Sequence, residues 1–175
     1  SLKKGIRKEA CWVISNICAG TPDQLQKLLE AGVFPELLNQ MENGDFDVKK
    51  ECAWAVSNAT RGTPEQKEFL ITQGCIAPLC KLLTVNDPTL LMVCLDALSH
   101  LLDHAKQFDQ SEKVCNLVEQ AEGLDALENL QEHQSEDVFN RAQQILEQHF
   151  GGGDEDCGAE IGVADAPAAF NFGSN

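Results

Sequence analysis

Two short segments of the sequence carry an indole, an amide and a carboxylate at the same spacing. In the first segment, Glu9 stands three residues before Trp12, and Asn16 stands four residues after it. An α-helix turns by about 100° per residue, so steps of three and four residues return to the same side of the helix. The three side chains are therefore predicted to share one face. The same combination recurs 42 residues further along as Glu51, Trp54 and Asn58.

These groups have the chemistry to hold an extended, basic peptide. An indole packs against the aliphatic stem of Lys or Arg and attracts its charged head by about 0.5–2 kcal/mol. A carboxylate pairs with that head, and an amide offers a donor and an acceptor to the peptide backbone. The predicted peptide-binding residues also include the two serines of the repeated W-x-x-S-N motif and one acid of the next repeat. They are Glu9, Trp12, Ser15, Asn16, Glu51, Trp54, Ser57, Asn58 and Asp96.

Other features of the sequence oppose this interpretation. In the next repeat, Asp96 stands at the Trp position and His100 at the Asn position, so only an acid remains there for a basic side chain. Lys8 and Lys50 each precede a Trp by four residues, where they could repel a basic ligand or pair with the neighbouring glutamates. The alternative is that the tryptophans are core residues and the asparagines connect helices. Two polar neighbours on the face of each indole make that burial costly.

The repeated segments are part of a longer internal repeat. Residues shared at the offset of 42 extend from the Trp into a G-T-P-x-Q motif, and a period near 40 is typical of helical solenoids of the armadillo or HEAT kind. In T-P-x-Q, Thr is predicted to cap a helix, Pro to occupy its first position, and Gln to close a capping box. The shared pairs are Trp12 and Trp54, Ser15 and Ser57, Asn16 and Asn58, Gly20 and Gly62, Thr21 and Thr63, Pro22 and Pro64, and Gln24 and Gln66.

Glycines divide each unit into one short and two longer helices. Gly32 and Gly74 are predicted to end the short helix in the left-handed conformation, and Gly123 is the corresponding glycine of the longer last unit, whose added length is expected in 107–111. Three helices per unit favour the armadillo fold, because HEAT units have two. We expect an all-α, right-handed armadillo-repeat solenoid with three full repeats preceded by one isolated third helix. The predicted segments are 1–20, 21–61, 62–106, 107–150 and an acidic, disordered tail over 151–175.

The charge composition of the sequence favours one class of binding partner over others. The formal net charge is −15, and residues 114–175 contain 13 acids with Arg141 as their single base. This balance argues against nucleic acid and anionic membranes as partners and favours a basic protein partner. The sequence has no apolar run of about 18 residues and no signal-peptide pattern. It begins within the repeat pattern, so we expect a fragment.

The sequence gives little support to catalysis, cofactors or metal binding. No Ser or Cys stands in a nucleophile motif, and no phosphate-binding loop is present, so we do not expect an enzyme. His100 and His104 are four residues apart beside Asp103, but no further ligand is in register, and packing roles are favoured over a metal site. Seven cysteines lie in helical segments without a C-x-x-C pair and are predicted to be reduced core residues. They are Cys11, Cys18, Cys52, Cys75, Cys80, Cys94 and Cys115.

The segments K-E-A-C-W and K-E-C-A-W, the paired W-x-x-S-N motif and the acidic end with F-N-F resemble the C-terminal portion of the importin-α family, the armadillo-repeat adaptors of nuclear import. The resemblance implies that the Trp, Asn and Glu residues form the minor site for nuclear localisation signals. It also implies an export receptor and a nucleoporin as partners of the last repeat and the acidic region, and shuttling between cytoplasm and nucleus. Importin-β would bind only through an N-terminal arm that this sequence lacks.

The tail and the last repeat leave two alternatives open. Phe170 and Phe172 are the apolar residues near the end of the chain, and they are either a short docking motif or incidental. A generic armadillo scaffold that works through its acidic C-terminal end, with a purely structural role for the tryptophans, is the alternative to the import adaptor.

Overall fold

The computed structural model describes residues 2–151, which form ten α-helices and no β-strand. Two short 3₁₀ turns, Leu82–Thr84 and Leu130–Glu132, extend the second helices of two repeats. The prediction of an all-α fold is confirmed. The helices are α1 (Leu2–Cys18), α2 (Pro22–Glu30), α3 (Phe34–Asn43), α4 (Phe46–Ala59), α5 (Pro64–Thr72), α6 (Ile76–Lys81), α7 (Pro88–Gln107), α8 (Ser111–Gln120), α9 (Gly123–Asn129) and α10 (Glu136–His149).

The two T-P-x-Q motifs start α2 and α5 with capping boxes. Thr21 Oγ1 accepts a hydrogen bond from Gln24 N at 3.3 Å, and Gln24 Oε1 accepts one from Thr21 N at 2.9 Å. Thr63 and Gln66 form the same pair of bonds at 3.3 and 3.0 Å. These bonds satisfy backbone N–H groups that have no partner within the helix. The helix starts are therefore fixed by local sequence.

The short first helices end at residues in the left-handed conformation. Gly32 has φ 69° and Gly74 has φ 83°, as predicted. In the last repeat the prediction of Gly123 is wrong by one position, because Glu122 is the left-handed residue, with φ 59°. Gly123 instead begins α9 against neighbouring backbone, where an added Cβ would lie 2.9 Å from the carbonyl oxygen of Val118. A glycine is required there for close packing rather than for its φ angle.

The added length of the second Gly-to-Gly interval lies mainly inside α7. Asp45 and Asp87 are the N-cap residues of α4 and α7, but α4 has 14 residues and α7 has 20. The extension therefore occupies the last turns of α7, just before the predicted stretch 107–111. A turn with Asp109 at φ 56° then leads into α8.

The helices stack in register along the chain. α1 packs on α4, α4 on α7 and α7 on α10, while α3 packs on α6 and α6 on α9. We call α2–α4 the first repeat, α5–α7 the second and α8–α10 the third, with α1 as an additional third helix before them. The buried side chains between these layers are mostly apolar and form one elongated core, so each repeat buries its apolar surface against its neighbours. This confirms the predicted solenoid.

The described cysteines belong to this core. All seven are free, and each is buried except Cys115, which is half-buried. Burial raises the pKa of Cys18, Cys75 and Cys80 to about 12, so these thiols stay protonated near neutral pH.

Among the helices described, none is both long and apolar enough to cross a bilayer.

Candidate functional site

The two tryptophans stand half exposed on neighbouring helices. Trp12 on α1 is 51% exposed and Trp54 on α4 is 40% exposed. Both helices bury small residues around the indoles, such as Cys11 on α1 and Ala53 and Ala55 on α4, so α1 and α4 pack closely. Helices in contact lie about 8–10 Å apart, which sets the spacing of the two indoles along the stack. The alternative in which these tryptophans are core residues is therefore excluded.

Each indole lies next to an acid and an amide on its own helix. We call Glu9, Trp12 and Asn16 the first rung and Glu51, Trp54 and Asn58 the second rung, and the two rungs together are the ladder. Glu9 is exposed and Glu51 is half-buried. Neither carboxylate forms an ion pair or a hydrogen bond with any other described residue. Both remain available to a cation from a ligand.

Lys50 does not occupy the acid of the second rung. Its Nζ lies 2.8 Å from Asp87 Oδ2, at the start of α7. Asp87 also accepts a hydrogen bond from Leu90 N at 3.0 Å as the N-cap of α7. Lys50 first, and then the Leu90 amide, lower the pKa of Asp87. The charge of Lys50, which could repel a basic ligand, is thus paired with Asp87, and Lys50 does not block Glu51.

The two asparagines differ in their contacts. Asn58 Nδ2 donates a hydrogen bond to the carbonyl oxygen of Ser15 at 3.0 Å, which ties α4 to α1. Because a carbonyl can only accept, this bond fixes the orientation of the Asn58 amide and leaves its Oδ1 without a partner among the described residues. Asn16 is exposed, and its side chain bonds to none of them. Asn58 therefore connects helices and still offers an acceptor, while Asn16 is wholly available.

The serines of the W-x-x-S-N motif do not reach the ladder surface. Ser15 is 5% exposed and Ser57 is 3% exposed. Ser15 Oγ donates to the carbonyl oxygen of Trp12 at 2.8 Å, and the carbonyl oxygen of Ser57 accepts from Thr60 Oγ1 at 2.6 Å. On a helix, Ser15 lies about 60° from Trp12 on the side opposite to Asn16, which turns it towards the helix interface. We withdraw both serines as direct peptide contacts.

Asp96 is already paired within the chain. Arg141 on α10 donates from Nε to Asp96 Oδ1 at 2.9 Å, and its Nη2 binds the same oxygen. The sequence predicts that Asp96 binds a basic side chain of the peptide, but in the structure Arg141 of the protein itself occupies this carboxylate. His100, at the Asn position, lies 3.0 Å from Thr60 Oγ1 through its Nδ1. The ladder therefore ends at the second rung.

Sequence reasoning missed Arg141 as a residue of this face. It stands 45 positions after Asp96, whereas the rungs and Asp96 are spaced by 42. Its isolation as the one base among residues 114–175 was the available signal. Phe170 and Phe172, the predicted docking residues of the tail, lie outside the described residues.

The histidines do not assemble a metal site in the described part of the chain. His100 points to Thr60, while His104 is 5% exposed and its Nε2 lies 3.6 Å from Glu68 Oε2. Burial is the main cause that lowers the pKa of His149, which faces Asp103 at 3.1 Å. These side chains connect α7 to its neighbours in the stack.

Comparisons with known proteins agree with this architecture. The model of the armadillo/β-catenin-like repeat matches residues 21–61 and 63–103, and the model of an atypical armadillo repeat matches residues 112–165. Importin subunit alpha-4 of Arabidopsis thaliana is 42% identical over 181 residues, which cover 99% of this chain and 34% of that relative. The chain thus spans about a third of the length of the relative.

Two solved structures share the fold. A designed armadillo repeat protein superposes with a TM-score of 0.69 at 32% identity, over 81% of this chain and 57% of the other. A second design, solved in complex with the peptide (KR)4, has a TM-score of 0.52 at 30% identity, over 80% and 74% of the two chains. The chain belongs to the armadillo-repeat family, and its repeats are of the importin-α kind.

Proposed function

We propose that this chain binds Lys- and Arg-rich peptides in extended form through the ladder, as part of a nuclear-import adaptor that reads nuclear localisation signals. The observation that carries the proposal is the pair of half-exposed indoles, Trp12 and Trp54, on adjacent helices. Each indole has an unpaired glutamate beside it, so a basic side chain meets an aromatic face and a carboxylate at the same position.

Two comparisons support the chemistry of this ligand. The second designed armadillo protein binds (KR)4, a peptide of alternating Lys and Arg. The similarity to an importin subunit alpha extends over almost the whole chain. For this chain we therefore propose a binding role rather than an enzymatic one, with cargo peptides as ligands and with shuttling between cytoplasm and nucleus.

The ladder can be tested with its own fluorescence, because Trp12 and Trp54 are the two tryptophans of the sequence and no Tyr is present. Binding of (KR)4 is expected to change the Trp emission during a titration. The affinity for this peptide is expected to fall as the salt concentration is raised. Trp54→Ala is expected to reduce affinity by about 1–3 kcal/mol, measured by anisotropy of a labelled peptide. Asn16→Ala, which breaks no helix-to-helix bond, is expected to reduce affinity as well.

Phe69 supplies a matched control. It is 37% exposed on α5, away from the ladder helices, so Phe69→Ala removes an exposed ring without touching the ladder. Its affinity for (KR)4 should equal that of the wild type. Unchanged binding by a Trp54→Ala, Asn16→Ala double variant would refute the proposed site.

The export receptor and the nucleoporin are proposed as partners of the third repeat. This region exposes acids on all three of its helices, among them Glu112, Asp125 and Glu136. Its two bases, Lys113 and Arg141, are paired with Glu68 and Asp96 of the preceding repeat. A surface of this sign fits a basic partner. The alternative is a generic scaffold that binds partners only through this acidic end. In that case, ladder variants should keep their affinity for the partner, and a charge-neutralising variant such as Asp125→Asn with Glu136→Gln should lose it.

A further inference from the structure

Beyond the second rung, the face that carries the ladder presents an ion pair in place of an unpaired acid. Arg141 lies over Asp96 with its Nε 2.9 Å from Oδ1, and its Nη1 donates to Gln144 Oε1 at 3.0 Å. The side chain of Arg141 remains about 30% exposed. Where the rungs present an unpaired acid, this position presents an ion pair whose Arg141 side chain is still accessible to a ligand.

Two further cations lie on elements that precede α7 in the chain, one at the end of α4 and one on α5. Arg61 follows α4 and lines a cleft of about 140 Å³ together with Asn58 of the second rung. Lys67 lies on α5. Neither forms an ion pair with another described residue.

The surroundings of His100 on α7 show how these charges combine. Burial lowers the pKa of His100 most, and Arg61, Lys67 and Arg141 lower it further. Asp96 is the one acid in this group that opposes them. Three cations and one acid therefore lie close enough to His100 to affect it electrostatically.

The direction of the His100 hydrogen bond follows from its neighbour. The hydroxyl of Thr60 donates its single proton to the carbonyl oxygen of Ser57 at 2.6 Å. It can therefore only accept from His100, so the proton of the neutral imidazole is on Nδ1 and Nε2 carries a lone pair. A carboxylate brought beside Nε2 would favour its protonation and gain another donor.

We propose that the face selects peptides in which the basic segment is flanked, on the side that runs from α4 over α7 towards α10, by acidic side chains that pair with Arg141. The proposal rests on the proposed function of the ladder and specifies its ligand further. An extended peptide rises about 3.3 Å per residue, and neighbouring helices lie about 8–10 Å apart. The acidic residues are therefore expected about three to six positions from the Lys or Arg held at Trp54.

The experiment compares labelled peptides that share a (KR)4 core and differ in their flanks. One carries Ser on both sides, one carries a short run of Glu on the N-terminal side, and one carries the same run on the C-terminal side. The peptide direction decides which flank lies over α7, so one Glu flank should bind about 3- to 10-fold more tightly than the Ser peptide at about 0.15 M salt, and the other should show no gain.

Variants at the ion pair separate recognition from folding. Arg141→Gln frees the charge of Asp96, so the favoured Glu flank should become unfavourable and a Lys flank should bind more tightly than Ser. Arg141→Lys keeps the charge and should keep the preference for Glu. The double variant Asp96→Asn, Arg141→Gln carries neither charge. It should bind the Glu-flanked and the Lys-flanked peptides no more tightly than the Ser-flanked peptide. The affinity of each protein for a flanked peptide is expressed relative to its own affinity for the Ser-flanked peptide, so that any change in binding of the (KR)4 core cancels.

The outcomes distinguish this inference from the proposed function. If the Ser-flanked peptide binds and Trp54→Ala weakens it, but neither Glu flank helps or both help equally, the flank recognition is refuted and the ladder stands. A Glu-flank gain that persists in Arg141→Gln also refutes it. If the Ser-flanked peptide does not bind, or binds Trp54→Ala equally well, the ladder itself is refuted together with the inference.

Discussion

Gln66 offers a quantitative test of how neighbouring repeats are joined. It closes the capping box of α5, as Gln24 does for α2, but it is only 4% exposed, while Gln24 is exposed. Its Nε2 additionally donates to the carbonyl oxygen of Pro22 at 2.9 Å and to Gln26 Oε1 at 3.2 Å. One side chain thus caps its own helix and binds the first helix of the preceding repeat.

The expected magnitudes follow from these contacts. Gln24→Ala loses one capping contact at an exposed site, where water replaces it, and should cost about 0.5–1 kcal/mol. Gln66→Ala loses the same contact and two further hydrogen bonds worth about 0.5–1.5 kcal/mol each in a buried setting. The expected loss is about 1.5–4 kcal/mol. At a urea m value near 2 kcal/mol/M, the midpoint falls by about 0.75–2 M.

The assay is urea unfolding followed by Trp fluorescence and by circular dichroism, with coincident curves as the condition for comparison. Gln24→Glu and Gln66→Glu add a finer test, because both keep the acceptor of the capping box. Glu at position 24 should be nearly neutral, since a carboxylate suits an exposed helix start. Glu at position 66 faces the Pro22 carbonyl without a donor and should destabilise clearly. Equal losses at the two positions, for either substitution, would refute the role assigned to Gln66.

Two further predictions concern α7 and α9. His100 has a lowered folded-state pKa, mainly through burial, so its contribution to stability is present above about pH 6.5 and is lost as pH falls through that lowered pKa. The urea midpoint of the wild type should therefore fall more between pH 7.5 and 5.5 than that of His100→Gln, and equal falls would contradict it. Gly123→Ala should lower stability by about 1–3 kcal/mol, because its Cβ would lie 2.5 Å from Cys80 Sγ and 2.9 Å from the carbonyl oxygen of Val118. Thermal unfolding measures this loss, and Gly5→Ala, which meets nothing within 4 Å, is the control.

The elements whose physics is local could be predicted from the sequence. The T-P-x-Q motif contains all the atoms of its capping box, so the starts of α2 and α5 follow from four residues. Gly32 and Gly74 end their helices for an equally local reason. Glu122 departs from this rule because α9 packs against α8 and α6, and that contact places the glycine one residue later.

In the candidate site, too, the features set by local sequence could be predicted and those set by tertiary packing could not. The spacing of Glu9, Trp12 and Asn16 defines a shared face, and the structure leaves that face exposed. The helical angles of Ser15 and Asn16 place them on opposite sides of Trp12, but they do not say which side meets the next helix, and the sequence predicts that Ser15 faces the peptide although it is buried. The repeat spacing could not predict the partner of Asp96, because the offset to Arg141 is 45 residues instead of 42. Only the isolation of Arg141 as the one base of residues 114–175 pointed to it.

The junction between the first and second repeats has one consequence for the ligand itself. Gln66 links the first helices through Pro22, and His100 links the third helices through Thr60. Hydrogen bonds have preferred lengths and directions, so two of them at separate points fix the inclination of one repeat to the next as well as their distance. A peptide advances by a constant rise per residue, and this inclination decides after how many residues its side chains meet the next helix. The polar contacts between repeats thus set the periodicity of the peptide that the face can bind.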